Sequence, residues 1–167
     1  MKKFIGKFKK DDKGFTLVEM IVVLVILAIL AAILVPALLG YIDEAKEKKY
    51  VLHGKSAFTA AQSVASEMYA NAADPTSLNG NDENSKKIAK IADLASFANC
   101  TSAKVGFAEA YKASETDTVK KHNMYTVSYV EYVEDGVTIY YTNGEWTTVA
   151  PSTTPTSYTV YTKSSTP

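Results

Sequence analysis

Residues 20–42 read MIVVLVILAILAAILVPALLGYI and carry no charged side chain over 23 positions. A helix of roughly 20 residues is long enough to cross the hydrocarbon core of a bilayer. A core helix of a soluble protein seldom stays apolar on every face for so many turns. The stretch therefore predicts a membrane-spanning helix, and it separates a short segment before it from a longer one after it.

The segment before the apolar run is basic. The chain has 18 lysines, no arginine and 18 acids; residues 1–14 hold six of the lysines and two of the acids, which leaves 12 against 16 in residues 15–167. A secretory signal has a shorter apolar region, of about 7–15 residues, before a small-residue cleavage site. We therefore expect the apolar run to be retained, with the lysines in the cytoplasm and the C-terminal part outside.

Two helix-weakening residues, Pro36 and Gly40, lie in the second half of the run. Proline removes a backbone hydrogen bond, and both residues have low helix propensity. They predict a kink or a locally soft stretch, although membrane helices also tolerate such residues routinely.

One acid, Glu19, directly precedes the uncharged run. Inside a membrane helix a carboxylate costs about 2.5–3.5 kcal/mol, and such a residue normally has a partner. The next lysine, Lys46, lies about 40 Å further along a helix that rises 1.5 Å per residue. Glu19 is therefore either placed near the cytoplasmic interface or paired with a cation from another chain.

The residues around Glu19 resemble the precursors of type IV pilins. Those precursors carry a basic leader that ends in glycine, then an aromatic or apolar residue, Thr-Leu, and a glutamate five positions into the mature chain. Here Lys13-Gly14 is followed by Phe15-Thr16-Leu17-Val18-Glu19, and Pro36 is the twenty-second residue after the junction. The resemblance is strong over residues 13–42 and is one of layout alone further on.

The resemblance implies specific roles for the junction. A prepilin peptidase would recognise Lys13 and Gly14, cut between Gly14 and Phe15 and methylate the new amino group of Phe15. Thr16 and Glu19 would serve assembly, with Glu19 facing the amino terminus of a neighbouring subunit. No catalytic residue, cofactor or metal site is expected in the chain itself.

The family's biology supplies the expected partners. Other copies would form a helical homopolymer through the N-terminal helices, with an assembly ATPase and a platform protein acting indirectly; no nucleic acid is expected. The precursor would sit in the cytoplasmic membrane before it becomes part of a surface pilus for adhesion, twitching motility or biofilm. A single cysteine, Cys100, forbids the disulfide of many Gram-negative pilins. With the lysine-only basic set, this resembles a Gram-positive pilin.

A helical pattern continues beyond the membrane segment, because apolar residues recur at three- and four-residue spacing. It is expected to end at Asp74-Pro75, since the residue before a proline disfavours the helical region. The predicted stripe consists of Val51, Phe58, Ala61, Val64, Ala65, Met68, Tyr69 and Ala72.

Residues 74–120 predict a loop with a short helix, capped by Asn84 or Ser85, and a short strand near Phe107. Residues 121–162 predict a sheet. The dipeptides Asp135-Gly136 and Asn143-Gly144 favour tight hairpin turns between alternating strands. The strand after the second turn covers Trp146 to Val149, and Tyr158 to Thr162 is a candidate fourth strand.

Together these segments predict an α+β fold of the type IV pilin kind. A long N-terminal helix would have a protruding hydrophobic half, and its amphipathic half would pack on a three- to four-stranded antiparallel sheet. The organisation would be a cleaved leader (1–14), a hydrophobic transmembrane or filament-core helix (15–42) and an extracellular head (43–167) that begins with the helix 43–73.

Other functions are weaker alternatives. Cys100 with His122 could form a nucleophile and a base, acid clusters such as the Asn-Asp-Glu-Asn stretch at residues 81–84 could ligate calcium, and tyrosines could stack on nucleic acid or sugars. Solvated turns and packed sheet faces explain these residues more simply. The remaining rivals to a major pilin are a minor pilin or pseudopilin of a secretion or DNA-uptake machine, and a membrane-tethered binding domain that does not polymerise.

Overall fold

The computed structural model describes residues 14–97 and 99–163, so the predicted leader with Lys13 lies outside the described residues. The chain divides into two compact units, with the boundary between Glu44 and Ala45.

Helix α1 (Leu17–Ala70) is the longest element, and helical structure continues through Pro36 and Gly40. It ends three residues before the predicted stop at residue 73. Ala72 adopts a left-handed φ of 51°, and the backbone N–H of Ala73 donates to the carbonyl of Met68 at 2.9 Å. This 6→1 bond is the Schellman arrangement, which ends the helix before Pro75 is reached.

The first part of α1 is exposed and strongly apolar. Its most apolar 18-residue window has a mean hydropathy of 3.3, and none of that window is buried. By length and composition it can cross a membrane. The exposed side chains are mainly large, among them Leu24, Ile33 and Leu38.

The head contains a five-stranded antiparallel sheet, whereas three to four strands were predicted. The strands follow the order β4-β3-β2-β1-β5 across the sheet. They are β1 (Cys100–Phe107), β2 (Val127–Glu134), β3 (Val137–Thr142), β4 (Glu145–Thr147) and β5 (Ser157–Thr162).

Strand β1 is the element that the sequence pattern underestimated. It lies inside the region predicted as loop and short helix, where only the surroundings of Phe107 suggested a strand. Its sequence, CTSAKVGF, contains a single β-branched aliphatic residue, Val105, and a glycine that weakens a strand. Pairing with β2 on one side and β5 on the other places it in the interior of the sheet.

The two predicted hairpin turns are confirmed. Asp135 and Gly136 join β2 to β3 with φ values of 53° and 77°, and Asn143 and Gly144 join β3 to β4 with 52° and 87°. Positive φ at both central residues is the signature of the tight turn that matches the twist of paired strands.

The short helix after the first loop is α2 (Glu83–Ile91). Its cap is Asp82, not Asn84 or Ser85 as predicted. One Asp82 carboxylate oxygen accepts the backbone N–H groups of Asn84 and Ser85 at 2.9 and 3.0 Å, so the cap lies two or three residues earlier than predicted. Two further short helices lie at Pro75–Ser77 (a 3-10 turn) and Thr118–Asn123 (α3).

The second part of α1 packs on the sheet through small residues. Of the predicted stripe, Ala61, Val64, Ala65 and Met68 are buried, whereas Tyr69 is 42% exposed. The remaining buried positions of α1 are Tyr50, Gly54, Ala57 and Ala60. Because most of this face lacks a bulky side chain, the sheet residues approach the helix backbone closely.

Candidate processing and assembly site

The N-terminal turn of α1 is closed by a reciprocal pair, Thr16 and Glu19. The Glu19 carboxylate oxygen Oε2 accepts the backbone N–H and the hydroxyl of Thr16, both at 2.9 Å. In return the backbone N–H of Glu19 donates to Thr16 Oγ1 at 3.2 Å. This is a capping box, in which two backbone donors at the start of a helix are satisfied by two side chains.

The capping box changes the interpretation of Glu19. The sequence pattern Thr-x-x-Glu at residues 16–19 signals such a box, and reasoning from the cost of a lone acid missed it. Glu19 has a partner in its own chain. Its other oxygen, Oε1, accepts no hydrogen bond from residues 14–97 or 99–163.

The predicted cleavage junction is accessible. A Cβ added to Gly14 would meet no atom within 4 Å, and the Phe15 side chain is 78% exposed. Neither residue supports the packing of the described chain. A larger side chain at Gly14 would therefore leave the packing of the described residues unchanged.

A different cluster joins α1 to the sheet in the head. Glu134 at the end of β2 is almost fully buried, with 1% of the residue exposed. Its Oε1 lies 2.7 Å from Lys49 Nζ, and its Oε2 lies 2.6 Å from His53 Nδ1 and accepts the Tyr132 hydroxyl at 2.7 Å. We call Lys49, His53, Tyr132 and Glu134 the Glu134 network.

The surroundings of Glu134 favour its ionised form. Burial alone would raise the pKa of this carboxyl, but the hydrogen bonds from Lys49, Tyr132 and His53 outweigh it and hold the pKa below its ordinary value. The same contact raises the pKa of Lys49, mainly through the hydrogen bond to Glu134. A buried carboxylate that is fully hydrogen-bonded fixes the geometry of the groups around it.

Asp135 extends the contact between α1 and the β2–β3 turn. Its Oδ2 accepts the Tyr50 hydroxyl at 2.9 Å, and its Oδ1 accepts a short hydrogen bond from the Asn99 side chain. The hydrogen bond to Asp135 raises the pKa of Tyr50. The ring of Phe97 stacks on His53 at 3.8 Å between centroids. These contacts join the second part of α1 to the β2–β3 turn.

The residues considered for nucleophilic chemistry have different surroundings. Cys100 is buried in β1, where loss of solvent raises the pKa of its thiol, with Tyr132 beside it. Such a thiol is held in its unreactive form. His122 is exposed on α3 and meets the ring of Tyr69 edge-on.

Comparison with known proteins adds one match. Residues 9–35 match a family model described as the prokaryotic N-terminal methylation motif. No curated protein and no solved structure matches the chain. The match supports a type IV prepilin-like precursor, and the α+β architecture is consistent with the type IV pilin fold. Motif and fold together indicate a structural protein and not an enzyme.

Proposed function

We propose that this chain is the major pilin of a type IV pilus, polymerised through its N-terminal helix into a surface filament for adhesion, motility or biofilm. The observation that carries the proposal is the methylation motif at residues 9–35, which leads into a helix whose large apolar side chains are exposed. An apolar surface of this extent needs lipid or other helices to cover it.

Processing comes first in this proposal. A prepilin peptidase recognises Lys13, cuts between Gly14 and Phe15, and methylates the Phe15 amino group. The cut removes the leader (1–14), leaves the helix 15–42 as membrane anchor and filament core, and leaves the head 43–167 outside the cell. Glycine suits the cut because a residue without a Cβ lets a protease approach the backbone closely.

Glu19 then serves two purposes with its two oxygens. Oε2 holds the capping box with Thr16, which orders the first turn of α1. Oε1 is free to accept the methylated amino group of Phe15 on a neighbouring subunit. Charge-assisted hydrogen bonds of this type are stronger than neutral ones, particularly away from water. The pair would set the register of one subunit against the next.

Polymerisation replaces lipid contacts with helix contacts. Identical subunits that meet through two different surfaces, with a rotation that does not close, form an open helical polymer. Pro36 and Gly40 would let α1 bend as the helices pack. An assembly ATPase and a platform protein would drive the process, so the chain needs no catalytic site of its own. The absence of arginine and the single Cys100 favour a Gram-positive setting.

The experiment that tests the assembly role separates capping from charge. Glutamine at residue 19 can still complete a capping box but cannot pair with an ammonium group. We therefore expect Glu19→Gln and Glu19→Ala to be processed and inserted normally and to yield few or no sheared filaments. Filament yields near wild type from Glu19→Gln would show that the carboxylate charge is not needed and would refute the pairing.

A matched glycine pair tests the processing role. Gly14→Val should leave uncleaved precursor in the membrane. Gly40→Val is the control, because that glycine also has open space around it but lies 26 positions beyond the junction. Intact mass of the membrane protein distinguishes the two. Normal processing of Gly14→Val would remove the cleavage assignment.

A further inference from the structure

A pocket at the C-terminal end of α1 belongs to none of the sites above. It has a volume of about 450 Å³, within the range of roughly 300–1,000 Å³ that is usual for small-ligand sites. We call it the tyrosine pocket; its principal lining residues are Tyr69, Tyr111, Lys112, Lys121, Met124 and Tyr125.

Three tyrosine rings define the shape of the pocket. The ring of Tyr125 lies between the other two. Its centroid is 5.3 Å from that of Tyr69 and 6.2 Å from that of Tyr111, and the ring planes meet at 68° and 83°. Tyr125 is buried and donates its hydroxyl to the carbonyl of Ala73 at 2.9 Å, so its position is fixed by the core. The two flanking rings stand nearly upright beside it, and Tyr69 is 42% exposed.

Two lysines border the same pocket. Lys112 and Lys121 are both exposed, and neither forms an ion pair with an acid in residues 14–97 or 99–163. Glu115 interacts electrostatically with Lys112 without forming an ion pair, and its Oε1 accepts the backbone N–H groups of Thr116 and Asp117, both at 3.0 Å. Because both lysines are exposed and line the pocket, their ammonium groups can reach a ligand that occupies it.

We propose that the tyrosine pocket binds an anionic sugar. A sugar ring presents apolar C–H faces that pack on exposed aromatic rings, whose bodies are apolar and whose hydroxyls are polar. A lysine ammonium acts as a point charge for a carboxylate or a phosphate. One ring that carries one negative charge, on a uronic acid or a sugar phosphate, uses both features at once.

The charge distribution argues against a nucleic-acid strand as the ligand. Residues 15–167 carry 12 lysines and 16 acids, a net charge of −4. A polyanion needs a continuous basic track, because most of its affinity comes from neutralised phosphates. Two lysines beside a concave pocket suit a single charge. All residues of the site lie within the head, so ligand binding there does not depend on polymerisation.

Titration calorimetry of the detergent-solubilised full chain tests this assignment. The probes are glucuronic acid, glucose 6-phosphate and glucose, with saturation-transfer NMR to identify sugar protons near aromatic rings. We expect either charged sugar to bind at least tenfold more tightly than glucose, and the comparison of the two charged sugars identifies the preferred anion.

Variants locate the binding. Lys112→Gln with Lys121→Gln should remove the tenfold preference for charge, and Tyr69→Ala should weaken all three sugars at least fivefold. Lys90→Gln, on the exposed surface of α2, is the control and should change nothing. Thermal unfolding of each variant confirms that the head is intact.

Several results would overturn the proposal. They are equal affinity for charged and neutral sugar, an unchanged preference in the double lysine variant, and binding of a short oligothymidylate in place of the sugars. A lack of heat and saturation transfer from both charged sugars at about 10 mM, tenfold above a dissociation constant of 1 mM, would also reject it.

Discussion

Both parts of α1 are α-helical, but they differ in the size and the burial of their side chains. From Leu17 to Glu44 the helix carries large apolar side chains, and all of its described residues are exposed. From Ala45 to Ala70 the buried face consists mostly of alanine and glycine. The apolar surface of the first part is therefore uncovered among the described residues, whereas the buried face of the second part packs on the sheet.

The difference shows what a helix needs from its partner. Alanine and glycine contribute little apolar area themselves, so the second part relies on the sheet for large residues such as Tyr132 and Ile139. Leucine, isoleucine and valine in the first part carry their own apolar area, about 1.5–3 kcal/mol for each side chain that becomes fully buried. Lipid or identical helices can therefore cover the first part without a shape specific to each position.

Two glycines of the same helix provide the strongest test of this contrast. A Cβ at Gly54 would lie 2.6 Å from Trp146 Cζ3 and 2.9 Å from Ile139 Cδ1, whereas one at Gly40 would meet nothing within 4 Å. Gly54→Val should lower the free energy of unfolding of the head by about 2–3 kcal/mol, the usual cost of overpacking. Gly40→Val should leave it unchanged.

The free energy of unfolding can be measured in urea by the fluorescence of Trp146, the single tryptophan, because its ring packs beside Gly54 and Tyr141. Equal urea midpoints for the two valine variants would mean that the helix does not dock as closely on β3 and β4 as the structure describes.

Removal of the buried charge should have the next largest effect. Glu134→Gln removes the buried carboxylate at the centre of the network, leaves Lys49 only the more distant Asp135 at 3.9 Å, and should destabilise the head by about 2 kcal/mol. Glu67→Gln is the control, because the Glu67–Lys87 pair is half exposed and should contribute less than about 0.5 kcal/mol. Urea unfolding at pH 7 compares them; similar midpoints for both variants would contradict a structural role for the Glu134 network.

The Glu134 network also predicts an acid dependence. The native pKa of Glu134 is lower than the ordinary value, so the unfolded chain binds more protons and the head loses stability as the pH falls. The loss should begin below about pH 5, near the ordinary glutamate pKa of about 4.3, and continue down through the native pKa. Glu134→Gln should flatten that part of the curve, and a wild-type slope in the variant would assign it to other acids.

The capping box should give the smallest effect, confined to the first turn. Thr16→Ala removes one side of the box, at a cost of about 1 kcal/mol, and should speed amide exchange at residues 16–20 about fivefold in detergent. Thr16→Ser retains the hydroxyl and should exchange like wild type. Exchange in Thr16→Ala that is as slow as in wild type would show that the box does not form in the membrane-bound chain.

The first part of α1 could be predicted closely because its structure depends on local sequence alone. The helical conformation and the high hydropathy of this part depend on residues that are neighbours in the chain. The capping box between Thr16 and Glu19 is also local and could have been recognised from its spacing. The cap at Asp82 was missed because several polar residues in that loop compete for the same role.

The head could be predicted only where turns are local. The pairs Asp135-Gly136 and Asn143-Gly144 fixed two hairpins, but β1 depends on partners about 30 and 55 residues away in the chain, Glu131 and Thr159 among them. Burial of Glu134 and the approach of Trp146 to Gly54 depend on the same distant pairing. No sequence spacing signals them.

The most direct test of the central claim is intact-mass and N-terminal analysis of the protein from sheared surface filaments. We expect the principal filament component to begin at Phe15 and to carry one methyl group on its amino terminus. A chain that keeps residues 1–14, or filaments in which this chain is absent or a trace component, would contradict its assignment as a major pilin.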